Sequence, residues 1–441
     1  MSGAAEFETL EKKHNRSLFR QPLALQWIES GRVVKRSEEE RQAGRFELFL
    51  DLLFVAILAN FAEDLAEDVR GANLVKYILI FAPTWHIWSD LRELMNSFYN
   101  DDLTQRFLIL WIMALLVMYA NNATLVAEEI GAMRAAVGSY LAARASTNLM
   151  HLFYSFASYH HRPQQRLWCI LSSICLCVYI PLFTESVSLR AKIAVAAIGI
   201  SMEEICWVFC YSPAAKKMLK AKYVTAVDIS HEVDRFAAFY IIVLGEYLYA
   251  IVVGSPAAVG FNLRLLRAVW TLIIAFCLNW LYVNNDGSEM CTHPMRHSVN
   301  AAFAWIVIHL PLAASLLAGG HVAAQSSTED ELSRAETWLL CGGIGTGVFC
   351  LYFLALLNKS EDAVGKFILS KPARLVVRPI SAIIIILIPL AHSLEVTSVV
   401  SIIMALLVFC VLWESVTSLT HDGQIWEKWQ NTDVQNSCYL G

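Results

Sequence analysis

The chain has 441 residues, of which 57% are hydrophobic and only 17% charged, with a mean hydropathy of +0.49. A soluble domain carries about 45–50% apolar and about 25% charged residues, so this composition excludes an ordinary soluble enzyme. The apolar excess falls in runs of roughly twenty residues, the length a spanning helix needs, and the net charge of −5 says little because the two signs are segregated by loop. The eleven cysteines lie mostly inside apolar runs, with no CxxC pair, and read as small buried hydrophobes.

In chain order, residues 1–44 form a polar tail rich in Lys and Arg, including Lys12, Lys13, Arg16, Arg36 and Arg41. No apolar h-region precedes the first run, which is expected to act as signal-anchor. Ser37 before Glu38–Arg41 reads as a helix start on the surface. Twelve spans follow, at roughly 46–62, 74–89, 107–127, 134–157, 167–183, 192–211, 236–253, 265–283, 300–319, 338–357, 376–392 and 397–413. The fourth is the weakest, with Arg134, Arg144, Asn148 and His151, and the last two are open to being a hairpin. The expected fold is all-α, a polytopic transmembrane helical bundle of about 10–12 spans in two pseudo-repeated halves. The halves cover 45–211 and 236–413, joined by a basic linker at 212–235, with a tail at 414–441.

Loop charge sets the orientation. Loop 212–235 has four lysines before Arg235, and loop 358–375 has Lys359, Lys366, Lys371 and Arg374. The opposite loops 63–73 and 320–337 are acidic, so both termini are expected in the cytosol. An internal repeat supports the division. Arg45-Phe46 with Phe49 matches Arg235-Phe236 with Phe239, and Trp85…Asp90 echoes Trp280…Asp286. Six spans separate the copies, so both halves insert the same way round, and a site is expected between them.

Charge inside these spans is the chemical signal, because an ionisable group at mid-bilayer is costly and faces a protein interior. Glu47 and Asp51 sit at i and i+4 in RFELFLDLLFVAILANFA and share one helical face. They are candidate acids, or else structural partners of a base such as Arg144 or His151. Glu246 follows Gly245 in an otherwise apolar span, and Glu203-Glu204 lie mid-span in GISMEEICWVF. Neighbours on a helix point about 100° apart, so one of that pair is expected to face a cavity. Asp228, His231, Glu232 and Arg235 fall on one face and read as ion pairs orienting the seventh span. His309, one turn after Trp305, is a candidate base or a satisfied core histidine.

Trp85, His86 and Trp88 close the second span, while Trp280 and Tyr282 close the eighth. With Trp207 they read either as an interfacial belt or as aromatic walls able to stabilise a cation. Asn100-Asp101-Asp102 lacks a DDxxD continuation, and Glu63, Asp64, Glu67 and Asp68 read as a solvated face. No Walker loop, GxGxxG, CxxC or HExxH is present, so neither metal nor cofactor is expected.

Three blocks carry a resemblance. ELFLDLLFV (Glu47–Val55) resembles the ELFFDLVFV opening of the low-temperature-requirement A family of membrane proteins. His231-Glu232…Arg235-Phe236…Ile242-Val243-Leu244-Gly245-Glu246 resembles its HxxERF…IIVLGE block, and His309-Leu310-Pro311-Leu312 its HLPL stretch. The likeness covers about 45–320; it departs at Leu50, Asp234 and Tyr247. It implies a fold better than a reaction. The acid-rich, aromatic layout also resembles membrane-bound terpene cyclases of fungal meroterpenoid pathways.

Two functions are therefore expected. The first is an acid-catalysed cyclase or isomerase acting on a prenylated epoxide in terpenoid biosynthesis. Asp51, Glu47, Glu246, Glu203 and His309 would be catalytic, and Trp85, Trp88, Trp207, Trp280 and Tyr282 would line the pocket. The alternative is a proton-coupled transporter or channel, which also uses intramembrane acids and repeated halves. Either has membrane lipid and a lipophilic small molecule as partners, no nucleic acid, and an endomembrane location if the source is eukaryotic.

Overall fold

A computed structural model describes residues 18–421 apart from 23, 30–31, 36–43, 99, 101, 254–256, 258 and 392. Lys12, Lys13, Arg16, Arg36, Asp101, the helix start at Ser37–Arg41 and most of the 414–441 tail lie outside the described residues.

Twelve long helices account for most of what is described. They are α1 (Arg45–Glu67), α2 (Gly71–Ser97), α3 (Leu103–Ala123), α4 (Ile130–Ala157), α5 (Arg162–Cys177), α6 (Leu189–Tyr211), α7 (Ile229–Val252), α8 (Leu263–Val283), α9 (Val299–Gln325), α10 (Arg334–Leu357), α11 (Val377–Leu387) and α12 (Val396–Thr417). Each overlaps one sequence-predicted span. Short turns of 3₁₀ helix extend α5 (Ile180–Phe183) and α11 (Ile388–Leu390). Local chemistry fixes several starts. Side chains of Asp102, Asp228 and Asn262 accept from backbone N–H groups three residues on, and Ser333 with Glu336 forms a capping box.

Among the described residues, nine of these segments are long and apolar enough to cross a membrane: α3, α5 to α10, α11 with its flanking turns, and α12. The other three, α1, α2 and α4, carry Glu47, Asp51, Asp90, Arg92 and Arg144, all buried against protein. Their polarity is directed inward, which is how a helix bearing charge is tolerated in a bilayer.

Small β pairings report sidedness. Strand β1 (Gln26–Glu29) pairs antiparallel with β2 (Arg32–Lys35) and with β3 (Tyr223–Thr225), with Trp27 opposite Val34 and Thr225. Strand β4 (Cys291–Thr292) pairs with β5 (Lys359–Ser360), and Phe367 bridges to Thr420. Hydrogen-bonded strands lie at the same end of the bundle. Six long helices separate β1 from β3, and two separate β4 from β5. Even numbers are what full crossings require. At the other end, Arg267 reaches the Thr397 hydroxyl at 3.0 Å and Asp330 at 2.8 Å.

The repeat is legible in packing. The pairs α1–α2, α1–α3, α2–α4, α2–α6, α3–α4, α4–α5 and α5–α6 each recur six helices on, as α7–α8, α7–α9, α8–α10, α8–α12, α9–α10, α10–α11 and α11–α12. The halves meet through α1 and α2 against α7 and α9, with no comparable packing of α3 on α7. Small residues allow the closest approach: a Cβ on Gly343 would stand 2.6 Å from the Ser315 carbonyl oxygen, and one on Gly319 2.9 Å from the Ile344 nitrogen.

Candidate functional site

Two buried polar networks occupy the first half and its border. The first joins α1, α2 and α7. Glu47 lies 3.1 Å from His231 Nε2, and its other carboxylate oxygen accepts from the Gly44 N–H at 2.5 Å. One turn on, Asp51 Oδ1 accepts from Arg235 Nη2 at 2.8 Å and from Trp88 Nε1 at 2.7 Å. Arg92 pairs with Glu232 at 2.8 Å, its guanidinium resting on the Trp88 and Phe236 rings. Asn96 finishes the seam, accepting from the Asp228 N–H at 2.9 Å and donating to its carbonyl at 3.0 Å. The i, i+4 acids of α1 thus meet the i, i+4 bases of α7, and both pairs are fully buried.

These partners differ from the sequence expectation. Arg144 and His151 do not reach Glu47 or Asp51, because α4 packs on the far side of α2. His231, Glu232 and Arg235 pair across helices rather than with one another, since each has an opposite charge facing it from α1 or α2.

The second network sits midway along α2, α4 and α6. His86 Nδ1 is 3.1 Å from Glu203 and its Nε2 is 2.9 Å from Glu204. Glu203 also accepts from the Tyr140 hydroxyl at 2.6 Å and from Arg144 Nη2 at 2.7 Å. Arg144 continues to Asp90, which accepts from the Thr147 hydroxyl at 3.0 Å. Both ring nitrogens of His86 face carboxylate oxygens. A neutral imidazole has one N–H, so satisfying both contacts takes one further proton, carried by the ring or by a carboxyl. The triad Glu204–His86–Glu203 is therefore a place where a proton can be held and passed on. Both glutamates take part, against the expectation of one: their roughly 100° divergence brackets the imidazole from two sides.

Two cavities flank this triad. One, of ≈230 Å³, is lined by His86, Asp90, Arg144, Glu203 and Glu204, with Trp85, Trp168 and Trp207 among its walls. The other, of ≈180 Å³, runs from the start of α2 and α6 to Tyr140 and is almost wholly apolar. They share Ile200, and Tyr140 of the second donates to Glu203 of the first.

The remaining sequence-singled residues divide. Trp85 and Trp88 pack together with Phe236 and Phe239, and Phe236 extends that aromatic cluster to Trp305 and His309. His309 Nδ1 donates to the Trp305 carbonyl at 2.7 Å, leaving Nε2 to accept from the Tyr282 hydroxyl at 3.2 Å. Tyr282 stacks on Tyr240 at 4.1 Å. Trp207 donates to Glu93 at 3.0 Å. Trp280 is 42% exposed beside Phe276 and Asn284, apart from the other aromatics. Glu246 is half-buried near Glu63, eleven residues past Arg235 on α7, so roughly 16 Å along the axis from the Asp51 pair. Asp51 and Glu246 thus do not share a hollow. Among the described residues, no group of three or more His, Cys, Asp or Glu could hold a metal ion.

Arg92, Tyr140 and Thr147 were missed in the sequence. The signal for Arg92 was there: Trp88, Arg92 and Asn96 recur every four residues along one face of α2. Nothing in the sequence marked Tyr140 or Thr147.

A bundle of long apolar helices with buried charge networks defines a polytopic α-helical integral membrane protein. Residues 42–413 match the family model described as bacterial low temperature requirement A protein (LtrA), and the chain belongs to that family. No curated protein and no solved structure matches it.

Proposed function

We propose that this chain is a proton-coupled transporter or channel of the LtrA family, with its path through α2, α4 and α6. The observation that carries the reading is the pair of cavities separated by the Tyr140–Glu203–His86 contact. Intramembrane acids with a histidine between them are the parts from which proton relays are built. Arg144, held between Asp90 and Glu203, offsets the carboxylate charge so that the cluster can stay buried. In this reading the triad gates the passage, and solute or ion reaches it from either cavity. Basic residues in the loops that carry β3 and β5 favour placing that end of the bundle in the cytosol.

The cyclase reading gains no support. A prenylated epoxide needs an enclosed pocket beside a free acid. Asp51, Glu47 and Glu246 line none of the principal cavities, and Glu203, which does line one, is engaged by Tyr140, Arg144 and His86. The α1–α2–α7 ion pairs close only part of the border between the halves. The ≈230 Å³ cavity reaches it through Ile306, Val307, Leu310 and Pro311 of α9, and an apolar cavity of ≈690 Å³ lies between α1–α2 and α9–α10 without touching the triad. The test is proton flux in proteoliposomes under an imposed membrane potential. Flux above that of protein-free vesicles supports a conducting or coupled protein, and none above that background contradicts it.

A further inference from the structure

We propose that the apolar cavity between α2, α4 and α6 is a binding site for a small carboxylate with a ring-sized apolar body, held at its head by Lys192. This deepens the transport reading by naming the class of its cargo. Lys192 lies in the first turn of α6 and lines the cavity, yet it is only 8% exposed. Among the described residues no carboxylate pairs with it. The other lysine at the mouth, Lys76, is already matched: it reaches Asp64 at 2.8 Å and the Thr124 carbonyl at 3.0 Å. The mouth therefore keeps one positive charge with no carboxylate beside it among the described residues, on a side chain that lines the cavity. An incoming anion supplies the missing partner.

The body of the ligand follows from the walls. Beyond Lys192 the lining is Ile80, Pro83, Val137 and Ile193, with Tyr119 and Tyr140. The Tyr119 hydroxyl is committed to the Ile80 carbonyl at 2.8 Å and the Tyr140 hydroxyl to Glu203 at 2.6 Å. Those two tyrosines thus present ring faces and edges rather than free donors. Tyr179, the third in the lining, keeps a buried hydroxyl with no hydrogen-bond partner among the described residues, so the interior selects a mostly apolar group with room for one polar contact. The volume is ≈180 Å³, and an apolar cavity of about 150 Å³ takes up benzene. One aromatic ring or a short branched chain fits, while a diacyl lipid does not.

The test uses the full-length protein in detergent, titrated by calorimetry with sodium benzoate, toluene, sodium acetate and a short-chain phosphatidate. The expected result is saturable benzoate binding, at least tenfold tighter than toluene or acetate. It weakens tenfold or more in Lys192→Met, persists within a few-fold in Lys192→Arg, and disappears in Ala196→Trp, which fills the cavity. Unchanged melting temperatures would show that these variants remain folded. Benzoate binding of wild-type strength in Lys192→Met, or phosphatidate binding without benzoate binding, overturns the proposal. Benzoate bound without any proton flux would sink the transport reading alone, and flux without benzoate binding would sink this site alone.

Discussion

Arg144 and Glu203 are 59 residues apart in sequence and 2.7 Å apart in space, each 2% exposed, on neighbouring helices. Removing one member leaves the other buried with only its remaining partners, Asp90 for Arg144 and His86 with Tyr140 for Glu203, at a cost of about 1–3 kcal/mol. Arg144→Met and Glu203→Gln should each lower the unfolding midpoint in detergent. The double variant should lose less than the sum, with a coupling of about 0.5–3 kcal/mol in a denaturant or thermal cycle.

The Asp51–Arg235 pair should behave as a brace between the halves rather than as part of the path. Asp51→Asn keeps an acceptor for Trp88 but loses the charge facing Arg235. Stability should fall by about 3–5 kcal/mol, with a change in Trp88 fluorescence, while any flux per folded molecule stays within a few-fold of wild type. Chymotryptic stability and flux measured on the same preparation separate the two effects.

The α9–α10 contact makes a contrast between adjacent glycines. Gly343→Ala places a methyl against the Ser315 carbonyl, and backbone there has little room to yield, so a loss of about 1–3 kcal/mol is expected. Gly342→Ala meets nothing within 4 Å and should be neutral or gain about 1 kcal/mol from helix propensity. Paired melting curves check the sign of each.

His293, in the segment between α8 and α9, lies outside the spanning helices. Burial, then the charges of Arg296 and His297, pushes its imidazole down from 6.5 to about 4. Its neutral Nδ1 accepts from the Met295 N–H at 3.4 Å. The folded state therefore resists protonating this ring. Its stabilising contribution is complete above about pH 6.5 and is lost as the pH falls toward 4. His293→Gln should flatten the dependence of melting temperature on pH across that window; an unchanged slope would exclude His293 as its source.

Much of this architecture was legible in sequence because hydropathy and helix length are local properties. The twelve long helices and their order could be read directly, nine of them long and apolar enough to cross a membrane among the described residues, and the repeated Arg-Phe signature anticipated helix packing that recurs six helices on. The buried acids stood out for the same reason: Glu47, Asp51 and Glu203 are anomalies in their own runs. Their partners did not stand out, because pairing depends on which helices touch and at what rotation. Arg144 looked like a partner for α1 until α2 came between them, and Tyr140 carried no signal at all in an apolar stretch. Glu246 was singled out for the same anomaly as Asp51, yet lies near Glu63, well up α7 from the Asp51 pair.

The central claim is that a proton moves through the Glu204–His86–Glu203 triad. The direct measurement is proton flux into proteoliposomes carrying a trapped pH dye, with Glu203→Gln and Asp51→Asn run beside wild type at matched reconstitution. Flux in wild type and Asp51→Asn, with a loss of tenfold or more in Glu203→Gln, is the expected outcome. Equal flux in Glu203→Gln and wild type would contradict it.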